Sequence, residues 1–117
     1  YLFNITRKNL YLIKMKRRLI FSIILTFSFF SPLKSDDIFN LGKEIFLKDG
    51  NCATCHSLKD AGSNTMVGPN LNEIRPDIGR VKNAVTNGIG VMPAYQGILS
   101  DKEIDAVSYY VSESANN

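Results

Sequence analysis

Apolar residues recur at three- and four-residue steps in three segments of the chain, which is the spacing of one helix face. The pattern predicts helices over about residues 37–48, 77–87 and 100–113. Residues 57–76 and 88–99, between these segments, are rich in Gly, Pro and Asn, and no alternating strand pattern appears. We therefore predict a small all-α domain whose long ordered loops wrap a ligand.

The helix ends carry signals of their own. Gly50 and Gly88 follow the first and second predicted helices, where a residue without a side chain suits the turn out of a helix. Ser100 and Glu103 have the spacing of a capping box at the start of the third. These signals place the three helices more firmly than the apolar spacing alone.

A different apolar pattern lies near the start of the chain. Residues 15–35 begin with a basic stretch, continue through the largely apolar residues 19–30 and end on Ser35. That order is typical of a secretory signal peptide. A membrane anchor is less favoured, because a 12-residue helix rises only about 18 Å against roughly 30 Å of bilayer core. We interpret residues 1–14 as an upstream extension and residues 36–117 as the exported, periplasmic domain.

Removing the leader reverses the sign of the charge. The whole chain has 14 basic and 11 acidic residues, for a net charge of +3. Seven of the basic residues precede Asp36, whereas all 11 acidic residues lie at Asp36 or after it. The exported domain therefore carries a net charge of −4. A nucleic-acid partner loses its electrostatic support. A protein partner with a basic docking surface is favoured instead, and membrane contact is expected only transiently or through an uncleaved leader.

Both cysteines and the one histidine of the chain lie in a single stretch, "NCATCHS". A structural zinc site needs four nitrogen or sulfur ligands, and Cys52, Cys55 and His56 supply three. A thiol–disulfide centre remains possible, but it gives the histidine no role and lacks the expected strand–helix–strand context. Cys-x-x-Cys-His is, by contrast, the specific signal for one haem c attached through Cys52 and Cys55, with His56 on its iron.

A covalent haem also answers a question of size. A domain of 82 residues is small for a self-sufficient apolar core, so an additional stabilising element is expected. A disulfide between Cys52 and Cys55 would close too short a loop to restrain the unfolded chain much. A large apolar macrocycle in the centre of the domain supplies the missing core.

With these features the chain resembles a small class I c-type cytochrome over residues 37–114. The resemblance rests on the attachment motif "CATCH" and on "GKEIF", "GPNL" and "VMPAY", in that order. It implies three to five helices wrapped around one covalently attached haem. It also implies that Gly42 lets the last helix approach the first, and that Phe46 packs there with Val107 and Tyr110.

The same resemblance assigns roles to the two loops that contain "GPNL" and "VMPAY". In "GPNL" the carbonyl of Pro69 would accept the second ring N–H of the proximal histidine, and Leu71 would lie at the haem. In "VMPAY" Met92 would be the sixth ligand of the iron.

Chemistry independently favours Met92 as a metal ligand beside His56. A six-coordinate haem iron needs a second axial donor, and the chain has no second histidine. Met66 follows His56 by only ten residues and precedes the loop assigned to the histidine side. Met92 follows by 36 residues, which is enough chain to reach the opposite face, and Pro93 favours an extended backbone at Met92.

The functional prediction follows from a closed, six-coordinate iron. We expect a periplasmic one-electron carrier, with no catalytic residue of its own, that serves redox protein partners such as a dehydrogenase, an oxidase or another cytochrome. The alternative is a dedicated cytochrome subunit of a periplasmic dehydrogenase, because "NGIGVMPAY" is similar to the cytochrome subunits of sulfite-oxidising enzymes. A haem peroxidase or gas sensor is less favoured, since it needs Met92 to leave the iron.

Several side chains keep two interpretations. Five apolar residues suit either the haem pocket or the helix interface, namely Leu71, Ile74, Ile78, Val81 and Val85. Tyr95 suits either a haem propionate or solvent. Arg75, Arg80 and Lys82 are expected to form a solvated face, and no propionate partner is recognised.

Overall fold

The structure, a computed structural model, describes residues 34–117. The predicted extension over residues 1–14, and all but the last two residues of the predicted signal peptide 15–35, lie outside the described residues. Within the described part, no helix is long and apolar enough to cross a membrane.

Four α-helices and one 3-10 turn form the described domain. In chain order they are α1 (Ser35–Leu47), the 3-10 turn (Cys52–Thr54), α2 (Leu71–Ile74), α3 (Ile78–Asn87) and α4 (Asp101–Asn116). Residues 34–117 contain isolated β-bridges but no strand. The all-α prediction is confirmed.

The three predicted helices are present, with two differences. Helix α4 continues to Asn116, because Ser114 and Ala115 are buried and the Asn72 amide donates to the Ser114 carbonyl at 3.3 Å. Helix α2 was not predicted, since four residues are too few for a periodic pattern. Its signal was Asn70, whose side chain accepts a hydrogen bond from the backbone N–H of Asn72 at 3.0 Å.

Side-chain caps fix where α3 and α4 begin. The predicted capping box is present at α4: the Ser100 side chain accepts from the Glu103 N–H, and the Glu103 carboxylate accepts from the Ser100 N–H at 2.7 Å. Asp77 caps α3 by accepting from the Arg80 N–H at 2.9 Å. Both helices therefore start at a defined residue, which fixes where the loops before them end.

Helices α1 and α4 cross in close contact at Gly42. A Cβ at this position would overlap the carbonyl oxygen of Ala106 and the Cβ of Tyr110. No residue larger than glycine fits without separating the helices. The packing role expected of Gly42 is therefore what the structure shows.

Aromatic side chains fill the space beside this crossing. Tyr110 is fully buried and meets Phe39 and Phe46 edge to face, at ring-centroid distances of 5.0 Å and 5.8 Å. Val107, one turn earlier on α4, is 1% exposed. The expected packing of Phe46, Val107 and Tyr110 is present.

A small polar cluster ties the loop after the cysteines to the helix crossing. The Tyr110 hydroxyl donates to the Asp60 carboxylate at 2.7 Å, and the Lys43 ammonium lies 2.9 Å from the same oxygen. Lys43 also donates to the Asp60 carbonyl at 2.9 Å. One residue from each helix thus holds Asp60, so the loop cannot move independently of α1 and α4.

Asp60 should make the stability of the domain depend on pH in the acid range. The Tyr110 hydroxyl, and then Lys43, lower the pKa of Asp60 below its ordinary value of 3.8. The carboxylate therefore stabilises the folded state above that value, and this contribution is lost as the pH falls through the lowered pKa. We expect Asp60→Asn to lower the free energy of unfolding by about 1 kcal/mol at neutral pH and by less in acid, measured by denaturant unfolding of the haem-loaded protein.

Asp49→Asn is the matched control, because Asp49 lies exposed just after α1. Its effect should stay below about 0.5 kcal/mol at both pH values. An Asp60→Asn protein whose stability follows that of the wild type through the acid range would contradict the role of Asp60.

Candidate haem site

The segment that carries the cysteines forms one tight turn directly after α1. Asn51 adopts a left-handed conformation, with φ of 49°, and turns the chain out of the helix. The N–H groups of Cys55 and His56 both bond to the Cys52 carbonyl, at 3.1 Å and 2.9 Å. A single turn therefore brings Cys52, Cys55 and His56 to the wall of one cavity.

A backbone carbonyl fixes the tautomer of the histidine ring. Nδ1 of His56 lies 2.9 Å from the carbonyl oxygen of Pro69. A carbonyl oxygen only accepts, so Nδ1 carries a proton, and in the neutral ring the lone pair lies on Nε2. That tautomer is the one required of an imidazole that binds a metal through Nε2. Pro69 lies where the resemblance placed it.

The residue before this proline presses against the same ring. A Cβ on Gly68 would lie 2.8 Å from Cε1 and 2.9 Å from Nδ1 of His56. The Gly68 N–H bonds to the Cys55 carbonyl at 2.7 Å, which holds the 68–69 backbone over the attachment turn. The ring is thereby confined on one side by backbone alone.

Met92 reaches the cavity from a loop that follows α3, here called the Met92 loop (residues 88–99). The backbones of Ile89 and Met92 bond to each other in both directions, at 3.1 Å and 2.9 Å. Gly88, with φ of 73°, lies so close that a Cβ there would be 2.6 Å from the Met92 carbonyl. This tight turn sets Met92 half-buried at the cavity that His56 also lines.

The cavity has a volume of about 550 Å³, within the range of cofactor pockets. Apolar side chains from every helix and both long loops form most of its wall, among them Phe46, Val67, Leu71, Ile74, Val81, Val85, Val107 and Val111. Among the other groups at the wall are two thiols, one imidazole and one thioether. This set fits a haem c: thiols for covalent bonds, nitrogen and sulfur for the axial positions, and apolar surface for the ring.

Of the five apolar residues with two interpretations, four line the cavity. They are Leu71, Ile74, Val81 and Val85. Ile78 does not: it is 48% exposed and borders a separate groove beside α1 and α4. Leu71, buried on α2, is also anchored through its N–H to the Ser57 carbonyl at 3.0 Å.

Two further residues border the cavity: Arg80, which was expected on a solvated face, and Tyr95, which was expected either at a haem propionate or in solvent. Arg80 borders it from α3 and is the one charged side chain among the described residues that do so. Its guanidinium is suited to the carboxylate groups of a haem. Tyr95 also borders the cavity, and its hydroxyl donates to the Gly50 carbonyl at 2.7 Å. Arg80 borders the cavity because of its place on α3, and Tyr95 is held by a residue 45 positions away. Neither relation leaves a signal in the neighbouring sequence.

The rival chemistries find less support in this arrangement. Burial raises the pKa of the Cys52 thiol to about 11, whereas a reactive redox thiol needs a lowered value. Within residues 34–117 no group of three or more His, Cys, Asp or Glu side chains is placed to hold a metal ion. The thiol–disulfide and zinc interpretations therefore lack the local chemistry they require.

Known proteins are similar to this chain in sequence and fold. A family model described as "Cytochrome C oxidase, cbb3-type, subunit III" matches residues 39–111. Cytochrome c6 of Nostoc sp. (strain PCC 7120 / SAG 25.82 / UTEX 2576) is 33% identical over 111 residues, which cover 83% of this chain and 94% of the relative. Cytochrome c6 of Tetradesmus obliquus is 37% identical over 86 residues, covering 65% and 90%.

A solved structure agrees. The crystal structure of the c-type cytochrome SorU from Sinorhizobium meliloti has a TM-score of 0.65 and 55% sequence identity, and the match covers 68% of this chain and 93% of that one. The chain is a class I c-type cytochrome.

Family membership confirms three of the expectations for this cytochrome. It has the small all-α cytochrome fold, it carries covalently bound haem c with its iron, and its function is electron transfer. Its partners are therefore redox proteins.

Gly68→Ala should disturb the proximal side of the haem. The added methyl would push the His56 ring from its place and lengthen its bond to Pro69. We expect the cytochrome to lose about 1–3 kcal/mol of stability, the usual cost of overpacking, and its absorption spectrum to change. Denaturant unfolding and spectroscopy of the haem-loaded protein measure both.

Val67→Ala provides the control at the neighbouring position, where the side chain is 74% exposed. It adds no atom beside His56, and its effect should stay below about 1 kcal/mol. Equal stability and spectra for Gly68→Ala and the wild type would show that the close approach of Gly68 to the ring is not needed.

Proposed function

We propose that the protein is a periplasmic one-electron carrier with a closed haem site. In this proposal Cys52 and Cys55 form the thioether bonds, and His56 and Met92 are the axial ligands. The protein acts as a carrier and not as an enzyme.

One observation carries the proposal. An imidazole with a free Nε2 and a thioether sulfur, from segments 36 residues apart, line the same cavity as the two thiols. The histidine comes from the turn after α1, and the methionine from the loop after α3. Donors from two different segments can approach a bound ring from two sides, which is what six-coordinate ligation requires.

Haem c supplies a one-electron Fe(III)/Fe(II) couple when it is bound. The chain determines how that couple behaves. His56 is held in one tautomer by Pro69, so its donor atom does not change with the redox state. Met92 adds a thioether donor, which raises the potential relative to ligation by histidine alone. The apolar wall limits water, which also favours the less charged reduced state.

Filling both axial positions excludes other reactions. If His56 and Met92 both held the iron, no coordination position would be left for oxygen or peroxide, and the chemistry supplied would be electron transfer alone. Little has to rearrange between the two redox states. This supports a carrier over a peroxidase or a gas sensor.

The surface around the cavity suits a brief apolar contact with a partner. Val91 is 98% exposed and Ile89 62% exposed, and both also line the cavity. Thr54 and Ala94 are small and exposed near the same loops. No acidic side chain is among the described residues that line the cavity. We infer that the net charge of −4 carried by residues 36–117 attracts a basic partner at long range, while the contact itself is neutral and small.

The proposed location rests on the leader pattern. A basic stretch, an apolar stretch and a small residue precede Asp36, as in exported proteins. Haem attachment to a Cys-x-x-Cys-His motif is consistent with export. The partners would then be periplasmic or membrane-bound redox proteins.

A second candidate keeps the haem but changes the assembly. The segment from Asn87 to Tyr95, "NGIGVMPAY", is similar to cytochrome subunits of sulfite-oxidising dehydrogenases. This segment includes Val91, which is almost fully exposed and belongs to the proposed contact surface. A dedicated catalytic subunit would cover the Met92 loop.

Native purification separates the two candidates. A freely diffusing carrier elutes alone and accepts electrons from several donors. A dedicated subunit elutes with a larger catalytic protein and accepts electrons from it much faster than from unrelated donors. Elution as a monomer that is reduced equally by all donors would rule out the second candidate.

Met92→Ala tests the ligand assignment. Removing the sulfur should abolish the weak long-wavelength absorption band of the oxidised protein that reports an iron–sulfur(Met) bond. It should also lower the reduction potential and let the reduced protein bind carbon monoxide stoichiometrically. Absorption spectroscopy, redox titration and gas titration measure these three changes.

Met66→Ala is the matched control, because Met66 is 90% exposed and does not line the cavity. It should retain the band, the potential and the resistance to carbon monoxide. A wild-type protein that lacks the band at neutral pH and binds carbon monoxide readily would overturn the carrier proposal in favour of a haem enzyme or sensor.

A further inference from the structure

The Met92 loop depends mainly on α3 for its position. The Gly88 N–H bonds to the Ala84 carbonyl at 2.8 Å, and the Tyr95 N–H bonds to the Val85 carbonyl at 2.9 Å. Between these two points the loop bonds only to itself, through Ile89 and Met92. Both anchors lie on the last turn of one short helix, so they fix where the loop begins and returns but not how far its tip extends over the cavity.

One hydrogen bond joins the loop to a different part of the domain. The Tyr95 hydroxyl donates to the Gly50 carbonyl at 2.7 Å, across 45 residues of chain. Among residues 34–117 it is the one hydrogen bond from the Met92 loop to any segment outside the end of α3. Tyr95 lines the cavity, as do both cysteines, so this bond joins two segments of the cavity wall.

The acceptor of this bond is itself rigid. Gly50 is buried, and its N–H bonds to the carbonyl of the fully buried Ile45 at 2.8 Å. A Cβ on Gly50 would lie 3.1 Å from the Cys52 sulfur, so this backbone packs directly on the first attachment residue. Tyr95 therefore ties the methionine loop to the fixed end of α1, two residues before Cys52.

We propose that Tyr95 is a positioning residue that holds the Met92 loop closed and so keeps Met92 on the iron. The inference rests on the proposed His56/Met92 ligation and adds the element that maintains it. Without the hydroxyl the Gly50 carbonyl loses its partner, and the loop is held by α3 alone. The open state, in which Met92 has left the iron, becomes more populated.

The expected size of the effect follows from the strength of one hydrogen bond. A net contribution of about 1 kcal/mol corresponds to about a fivefold change in the ratio of open to closed loop at 25 °C. A small ligand that binds only the open state gains apparent affinity by the same factor, since its binding is reduced by the rarity of that state. The unfolded state also lacks this bond, so the global free energy of unfolding should fall by a similar amount, and a control of matched global stability is needed.

Imidazole is a suitable probe, because it binds the oxidised iron only where Met92 has left it. Tyr95→Phe removes the hydroxyl and keeps the ring at the cavity wall. We expect Tyr95→Phe to bind imidazole about fivefold more tightly than the wild type, in optical titrations of the oxidised, haem-loaded protein. Tyr109→Phe, an equal change at a tyrosine that does not line the haem cavity, should bind imidazole like the wild type.

A second measurement localises the effect. In Tyr95→Phe the amide of Met92 should exchange its hydrogen about fivefold faster than in the wild type. Asp60→Asn lowers global stability by a similar amount through contacts outside the Met92 loop, so it should leave both the exchange of the Met92 amide and the affinity for imidazole unchanged. Equal changes in the two variants would show general destabilisation and overturn the proposed role of Tyr95.

The outcomes separate this inference from the proposed function. If the wild type shows the iron–sulfur(Met) band but Tyr95→Phe binds imidazole with unchanged affinity, the inference is wrong and the carrier proposal stands. If the wild type lacks the band, both fail. Tighter imidazole binding by Tyr95→Phe alone, with the band present in the wild type, supports both.

Discussion

The close crossing of α1 and α4 at Gly42 is the contact on which the rest of this small domain depends. It fixes the end of α1, and with it the attachment turn that begins at Cys52. It also fixes the start of α4, which follows the buried Leu99 at the end of the Met92 loop. The two proposed axial ligands thus come from segments whose positions are both set by one helix–helix contact.

Around this contact the chain forms both a packed core and the wall of a cavity. Apolar side chains from all four helices line the cavity, as expected of a domain too small to bury a sufficient core unaided. Three polar side chains are each held by a neighbour: His56 by Pro69, Tyr95 by Gly50, and Asp60 by Lys43 and Tyr110. Such an arrangement holds a redox centre in nearly constant geometry, which suits repeated electron transfer.

Local sequence signals predicted much of this structure. Apolar spacing and caps located three helices, and the Cys-x-x-Cys-His motif with the resemblance at Pro69 and Met92 identified the groups that meet at the cavity. The missed features depend on distant contacts. Helix α2 is too short for a periodic pattern, the end of α4 is helical because Ser114 and Ala115 are buried, and the partner of Tyr95 lies 45 residues away. Burial and long-range pairing cannot be inferred from neighbouring residues.

The central claim is that one nitrogen from His56 and one sulfur from Met92 complete the coordination of the iron. X-ray absorption spectroscopy at the iron edge of the oxidised, haem-loaded protein tests it most directly, since it counts sulfur neighbours of the metal. We predict a single sulfur atom beside the nitrogen atoms of the ring and of His56. A coordination shell of nitrogen and oxygen atoms without sulfur would contradict it.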